Sequence, residues 1–323
     1  MRSLIPLTLA ASLAAAIATP FSANLPTLSH RQTAQWNFTD YLYVYFTGEL
    51  LPNGEQVYMA LTADNDPTTW YPLQNNTPIL TSNVGMLGIR DPSLIISPDR
   101  SKYYLINTDL KVNGIGWNQG YCYTCNGSKS IVVWESTDLV HWDGPRHPVV
   151  SPANAGMTWA PDAIWDPTRQ KYMVFWTSKL DGKPELHQLR AWTEDFRTFS
   201  PAERYVDLGM DNTIVRDGER YYMVSKNGPD DGIQQNVADG LDGPWEMVGE
   251  KIGLEAMEAG EGPLVFRNNL VPSKWHLWID DYKHAGGGRY VPFETDDIAS
   301  GKWRPSQGYK LPSSPRHGYV VPM

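Results

Sequence analysis

The chain has 323 residues, with 27 basic and 36 acidic side chains and a formal net charge of −9. Its basic residues are scattered, so no polyanion-binding face forms and nucleic acid is excluded as an expected partner. Thirteen Trp and 17 Tyr suit a sugar-binding surface and a β-sheet core equally well.

In chain order, Met1-Arg2-Ser3 leads into an apolar run from Leu4 to Ala18, which contains Ala16-Ile17-Ala18 and is followed by Thr19-Pro20. One positive charge, a short apolar segment and small residues predict a secretory signal peptide over residues 1–23. No later segment reaches about 18 consecutive apolar residues, so no membrane span is expected. Residues 24–323 are then expected to form one secreted, extracellular domain. Cys122 and Cys125 are the sole cysteines. No second pair exists to complete a zinc site, and in an oxidising compartment the two predict a disulfide stapling a loop. Asn37, Asn75 and Asn126 each begin an Asn-x-Ser/Thr sequon and are candidate glycosylation sites.

The body shows no helical periodicity longer than two turns. It repeats one unit five times. Aromatic strands are predicted at 41–46, 102–106, 171–176, 220–224 and 275–279. Each is followed by a second strand and then by a polar, Asp-containing turn closed by an aromatic: Trp70, Trp142, Phe199, Trp245 and Trp303. A β-sandwich also has many short strands, but it gives no reason for five identical closures. The repeat therefore predicts an all-β, five-bladed β-propeller. The last strand, Gly318–Pro322, has no unit of its own. It is expected to join the N-terminal blade and close the ring, leaving no open sheet edge there.

In a propeller the innermost strands surround the axis, so their entrances converge at one mouth. The predicted entrances are Arg90-Asp91-Pro92, Trp159-Ala160-Pro161-Asp162, Met210-Asp211-Asn212, Glu261-Gly262-Pro263 and Arg316-His317-Gly318. The proline after Asp91 holds that residue extended at the start of a buried strand. Carboxylates gathered at one dry mouth push their pKa values apart. Two such acids are what glycosidic bond cleavage requires: one protonates the leaving oxygen and the other activates water. Capping of strands and binding of a central cation are the alternative roles, and for Asp211 both kinds of reading stay open.

The ordered set Arg90-Asp91-Pro92, Trp159-Ala160-Pro161-Asp162 and Glu261-Gly262-Pro263 resembles glycoside hydrolase family 43 over roughly residues 36–323. The resemblance implies a five-bladed enzyme that inverts anomeric configuration on arabinose-, xylose- or galactose-containing plant polysaccharides. It implies Asp91 as general base, Asp162 as the residue that orients the proton donor and raises its pKa, and Glu261 as general acid. Glu255 and Glu258 lack the Gly-Pro that follows Glu261. Arg90, Trp159, Asp211, Lys226 and Arg316 are candidate substrate contacts. His317 matches a histidine that in many members sits on the axis beside a calcium or sodium ion. A hydrogen-bonded spacer is its other reading, and no further cofactor is required. The expected function is removal of terminal α-L-arabinofuranosyl residues from an oligo- or polysaccharide by a monomer. A β-xylosidase, endo-arabinanase or galactofuranosidase of the same fold is the alternative, and a non-catalytic sugar-binding propeller is the alternative of another class.

Overall fold

Each aromatic segment becomes the second strand, counted from the axis, of a four-stranded antiparallel blade. The computed structural model describes residues 37–228 and 232–323; the expected leader over 1–23 lies outside the described residues. The first blade contains β1 (Tyr41–Phe46), β2 (Tyr58–Thr62) and β3 (Trp70–Pro72). The second runs β4 (Ile89–Ile96), β5 (Tyr103–Asp109), β6 (Ile131–Ser136) and β7 (Trp142–Arg146). The third runs β8 (Trp159–Asp166), β9 (Lys171–Lys179), β10 (Leu186–Thr193) and β11 (Glu203–Arg204). The fourth runs β12 (Met210–Asp217), β13 (Arg220–Lys226), β14 (Ile233–Ala238) and β15 (Glu246–Ile252). The fifth runs β16 (Glu261–Arg267), β17 (Trp275–Asp280), β18 (Tyr290–Thr295) and β19 (Arg304–Pro305).

The final strand, β20 (Arg316–Pro322), pairs with β1 as the innermost strand of the first blade, with Leu42 opposite Val321 and Tyr43 opposite Val320. The expected closure of the ring by the C-terminal strand is what forms. The inner strands β20, β4, β8, β12 and β16 each neighbour the next around the axis.

The core consists of five wedges between neighbouring blades, so a strand near the axis buries both of its faces. This is why Tyr41–Phe46 reads as an unbroken apolar run instead of an alternation. Tyr41, Tyr43 and Tyr45 pack toward Leu264, Phe266 and Trp278 of the fifth blade. Leu42 and Val44 pack toward Ile89, Leu94 and Leu105 of the second. Trp278 is fully buried and meets Tyr43 and Trp70 edge-on, at 5.4 and 5.5 Å between ring centroids. The repeated Asp turn is structural. Asp138 and Asp195 donate their N–H to the hydroxyls of Ser136 and Thr193, and their carboxylates accept the N–H groups of residues 140 and 197. These local bonds satisfy the backbone where the chain reverses toward the outermost strand.

One irregularity recurs at the axial end of the inner strands. The pairing register shifts between Arg90 and Ser93, Trp159 and Asp162, Met210 and Thr213, and Glu261 and Leu264. The residue after the first position turns left-handed in all four: Asp91 (φ 51°), Ala160 (48°), Asp211 (53°) and Gly262 (49°), so the extended conformation that Pro92 predicts for Asp91 gives way to the bulge. Such bulges re-aim side chains at a strand end. Left-handed backbone is uncommon for residues other than glycine, and it is found where a site holds its side chains against strain.

Candidate active site

The bulge sorts the entrance residues into levels. At the first level stand Arg90, Trp159, Met210, Glu261 and Arg316, one from each blade. All five line a single cavity of about 360 Å³ at one mouth of the axis. At the left-handed level stand Asp91, Ala160, Asp211, Gly262 and, from the first blade, His317. Asp91 and Asp211 also line the cavity, together with Glu49, Leu110, Trp117 and Tyr282. One level deeper come Ser93, Asp162, Thr213 and Leu264.

This ordering separates the candidate acids. Asp162 does not stand among the cavity-lining residues. Its carboxylate accepts hydrogen bonds from Ser93 Oγ (2.6 Å) and Thr213 Oγ1 (3.0 Å), its neighbours at the deeper level, and from the Ala163 N–H (2.7 Å). Burial still pushes its carboxyl up to about 6 against those bonds. The acid that stands beside Glu261 is Asp211, whose Oδ2 accepts the N–H of Gly262 at 3.1 Å. Burial pushes Asp211 up to about 6 as well; His317 opposes this and the charge of Glu261 adds to it. Asp162, expected to orient the donor, thus lies at the deeper level, while Asp211 contacts the main chain next to Glu261.

Asp91 is set differently. Burial raises its carboxyl, but the His317 hydrogen bond and charge, Arg90 and Thr108 together hold it below the ordinary aspartate value. Thr108 Oγ1 donates to Oδ2 at 2.8 Å, and His317 Nδ1 lies 3.3 Å from Oδ1. Thr108 in turn accepts the Ala160 N–H. Asp91 is thus ionised at neutral pH and fixed on two sides, as a general base must be.

Glu261 is held by two cations. Lys226 Nζ lies 2.9 Å from Oε2, and Arg316 Nη2 lies 3.1 Å from Oε1. Lys226 stands behind the cavity lining, with its ammonium 4.3 Å from the Tyr282 ring centre. Arg316 is itself fixed by Asp280, whose Oδ2 is 2.6 Å from Nε, and by the Gly287 carbonyl, 2.9 Å from Nη1. Asp280 is fully buried and is pushed up to about 6, chiefly by burial. It is a positioning residue, acting on Glu261 through Arg316. Asp280→Asn is expected to lower kcat by about 10-fold or more with KM little changed, because a small misplacement of the acid is costly. Steady-state kinetics check this, and a loss of thermal stability with kcat intact would contradict it.

His317 fills the centre of the left-handed level. Its ring is the reason Gly262 is glycine: a Cβ there would come within 2.5 Å of the imidazole. The surrounding acids Asp91, Asp211 and Asp280 outweigh burial and push His317 up to about 9. Its Nδ1 is engaged by Asp91, and among the described residues no three or more His, Cys, Asp or Glu stand together in a way that could hold a metal ion. No step is routed through an axial ion. A histidine whose folded value is raised stabilises the fold fully below its ordinary 6.5 and loses that contribution as pH rises through about 9. The Tm difference between the wild type and His317→Gln is therefore expected to narrow from pH 6.5 to above 9. A pH-independent difference, or a wild-type Tm that falls with chelator, would contradict the ion-pair reading.

Arg90 does not point at the site carboxylates alone. Its Nη1 is 3.0 Å from both Glu49 and Glu55, and its guanidinium lies over Phe46 and Trp117. Glu55 is fully buried and also accepts the N–H groups of Val112 and Asn113. Glu49 accepts from Trp117 Nε1 at 2.9 Å. Burial raises Glu49, but Arg90 and Trp117 more than offset it and bring it down to about 2. Trp159, a candidate substrate contact, lines the cavity and meets Trp117 edge-on at 6.2 Å. Glu49, Trp117, Tyr282 and Asp280 were not among the expected site residues. They come from turns and strand ends away from the repeated entrances, and only Trp117, between glycines and a cysteine pair, carried a local signal. Cys122 and Cys125 are joined, and Asn37, Asn75 and Asn126 are all exposed.

A family model described as "Probable glycosyl hydrolase domain" and related to glycoside hydrolase family 43 matches residues 37–323. An α-L-arabinofuranosidase of Bifidobacterium longum subsp. longum is 34% identical over 233 residues, 65% of this chain. The chain spans about a fifth of the length of that relative, 21%. Among solved structures, a family 43 β-1,3-galactosidase with galactodeoxynojirimycin superposes with a TM-score of 0.58 at 12% identity, over 82% of this chain and 89% of the other. An exo-1,5-α-L-arabinanase from a bovine ruminal metagenomic library does so with 0.57 at 15% identity, over 83% and 93%. At such identities these two likenesses speak for the propeller fold.

Proposed function

The chain belongs to the family 43-related glycosyl hydrolases, and on that premise we propose that it is an inverting glycosidase removing terminal α-L-arabinofuranosyl residues from plant polysaccharide. The observation that carries the reading is the convergence of Asp91, Asp211 and Glu261, from three different blades, on one cavity of about 360 Å³. In the proposed reaction a water gives its proton to the Asp91 carboxylate and its oxygen bonds to the anomeric carbon. The Glu261 carboxyl delivers a proton to the glycosidic oxygen as that bond breaks. Asp211 sits on the main chain next to Glu261, and Arg316 and Lys226 fix the Glu261 rotamer. Trp159 and Trp117 offer apolar walls to a sugar ring. The choice of arabinofuranose rests on the 34% identical arabinofuranosidase. The chain is further proposed to act outside the cell, which its apolar leader, its disulfide and three exposed sequon asparagines support.

The test is an assay on aryl α-L-arabinofuranoside, β-D-xyloside and β-D-galactofuranoside, followed by product analysis on arabinan, arabinoxylan and arabinogalactan. Free arabinose is the expected product. Release of xylose or galactose alone would move the substrate class, and no release from any of these would sink the hydrolase reading.

A further inference from the structure

The loop between β5 and β6 does more than close a hairpin. Its Trp117 lines the cavity yet remains 41% exposed, and beside it Ile115 and Tyr121 are 46% and 39% exposed. The aromatic rings run outward from the cavity without a break. Trp159 meets Trp117 at 6.2 Å, Trp117 meets Tyr123 at 5.4 Å, and Tyr123 meets Tyr121 at 4.8 Å, all edge-to-face. A loop presenting this much apolar surface to water is unusual unless something covers it.

The loop is also held rigid. The Cys122–Cys125 disulfide staples its tip, and the N–H groups of Cys125 and Asn126 both donate to the Cys122 carbonyl. Tyr121 Oη donates to the Asn126 carbonyl at 2.6 Å, the Gly127 N–H donates to the Gly156 carbonyl, and Asn113 Nδ2 donates to the Glu49 carbonyl. A surface fixed in this way loses little entropy when a ligand settles on it. The loop lies over the second and third blades, across the mouth from Glu261 of the fifth.

We propose that the stapled loop carries a second sugar subsite, in which Tyr121 and Ile115 hold a further sugar ring of the same carbohydrate whose reacting unit occupies the cavity. The inference rests on the glycosidase reading, and it commits to carbohydrate because the exposed Tyr121 is joined to the cavity wall at Trp117 through the buried Tyr123. A sugar ring has apolar C–H faces and polar edges, which match flat aromatic rings bounded by a hydroxyl and main-chain carbonyls. Such a subsite makes the enzyme prefer chains of two or more sugars over single-ring glycosides.

The test compares Tyr121→Ala, Ile115→Ala and Tyr121→Phe with the wild type on an aryl glycoside, which has one sugar ring, and on an arabino-oligosaccharide. Tyr121→Ala is expected to lower kcat/KM on the oligosaccharide by about 5- to 10-fold, mainly through KM, since one aromatic contact contributes about 1 kcal/mol. It should leave the aryl glycoside unchanged. Ile115→Ala should act in the same direction, and Tyr121→Phe, which keeps the ring and loses the bond to Asn126, should behave as wild type. Equal losses on both substrates, no loss on either, or a Tyr121→Phe variant as impaired as Tyr121→Ala would overturn the proposal. Titration calorimetry with arabino-, xylo- and galacto-oligosaccharides separates it from the activity itself. If the wild type hydrolyses nothing, oligosaccharide binding that is weakened in Tyr121→Ala still supports the subsite. No binding to any of them overturns it.

Discussion

Glu261→Ala is expected to lose about 10²- to 10⁴-fold in kcat on polysaccharide while keeping most of its activity on a dinitrophenyl glycoside, the range that general acid catalysis contributes. The difference lies in the leaving group. A dinitrophenolate departs without a proton, whereas a sugar alkoxide needs one from the acid. Asp91→Ala removes the base instead, so its loss is expected to be similar in size and independent of the leaving group. The contrast between these two variants assigns the roles, because each carboxylate is fixed in its own way. Asp91 is bound by Thr108 and His317, and Glu261 by Lys226 and Arg316. The measurement is kcat/KM across aryl glycosides of falling leaving-group acidity, with circular dichroism and Tm to show that the variants fold. A Glu261→Ala variant equally impaired at every leaving group would contradict its role as acid.

The second large effect separates Asp211 from Asp162. Asp211 lines the cavity and touches the main chain beside Glu261, and it is pushed up to about 6 by burial with the Glu261 charge adding to it. Asp211→Asn removes a charge that acts on the acid, and is expected to cost about 100-fold in kcat and to shift the pH profile. Asp162→Asn is expected to leave the pH profile in place and to lower stability by about 1–3 kcal/mol, because one of the donors Ser93, Thr213 and Ala163 loses its acceptor. Parallel kcat and Tm measurements across pH decide the matter. A shifted profile in Asp162→Asn with none in Asp211→Asn would assign the orienting role to Asp162.

Where the sequence places Asp162 depends on how the entrances are aligned. Aligning the entrances on their acids pairs Asp91 with Asp162. Aligning them on the residue after the bulge pairs Pro92, Pro161, Asn212 and Pro263, and then Asp91 stands with Ala160, Asp211 and Gly262. Each residue advances a strand by about 3.3 Å, so a shift of two positions keeps the face but moves a carboxylate along the strand, from the cavity to the packed interior. The blade count, the ring closure and the convergence of Asp91, Glu261 and Arg316 were legible because repeated aromatic strands and Asp turns mark each blade locally. Asp280 and Glu49 were not, since each gains its role from an arginine on another strand, Arg316 and Arg90, and pairing across strands leaves no local pattern. The pull of Glu49 and Glu55 on Arg90 was invisible for the same reason: the turn that carries both acids falls outside the repeat.

The central claim is that Asp91 delivers water to the face of the sugar opposite the bond that Glu261 helps to break. Its most direct test is proton NMR of the sugar first released from an aryl α-L-arabinofuranoside, read before the product mutarotates. Inversion gives β-L-arabinofuranose as the first product, converting later to the equilibrium mixture. An α-anomer formed first would mean retention, and with it a nucleophile where a base is proposed here.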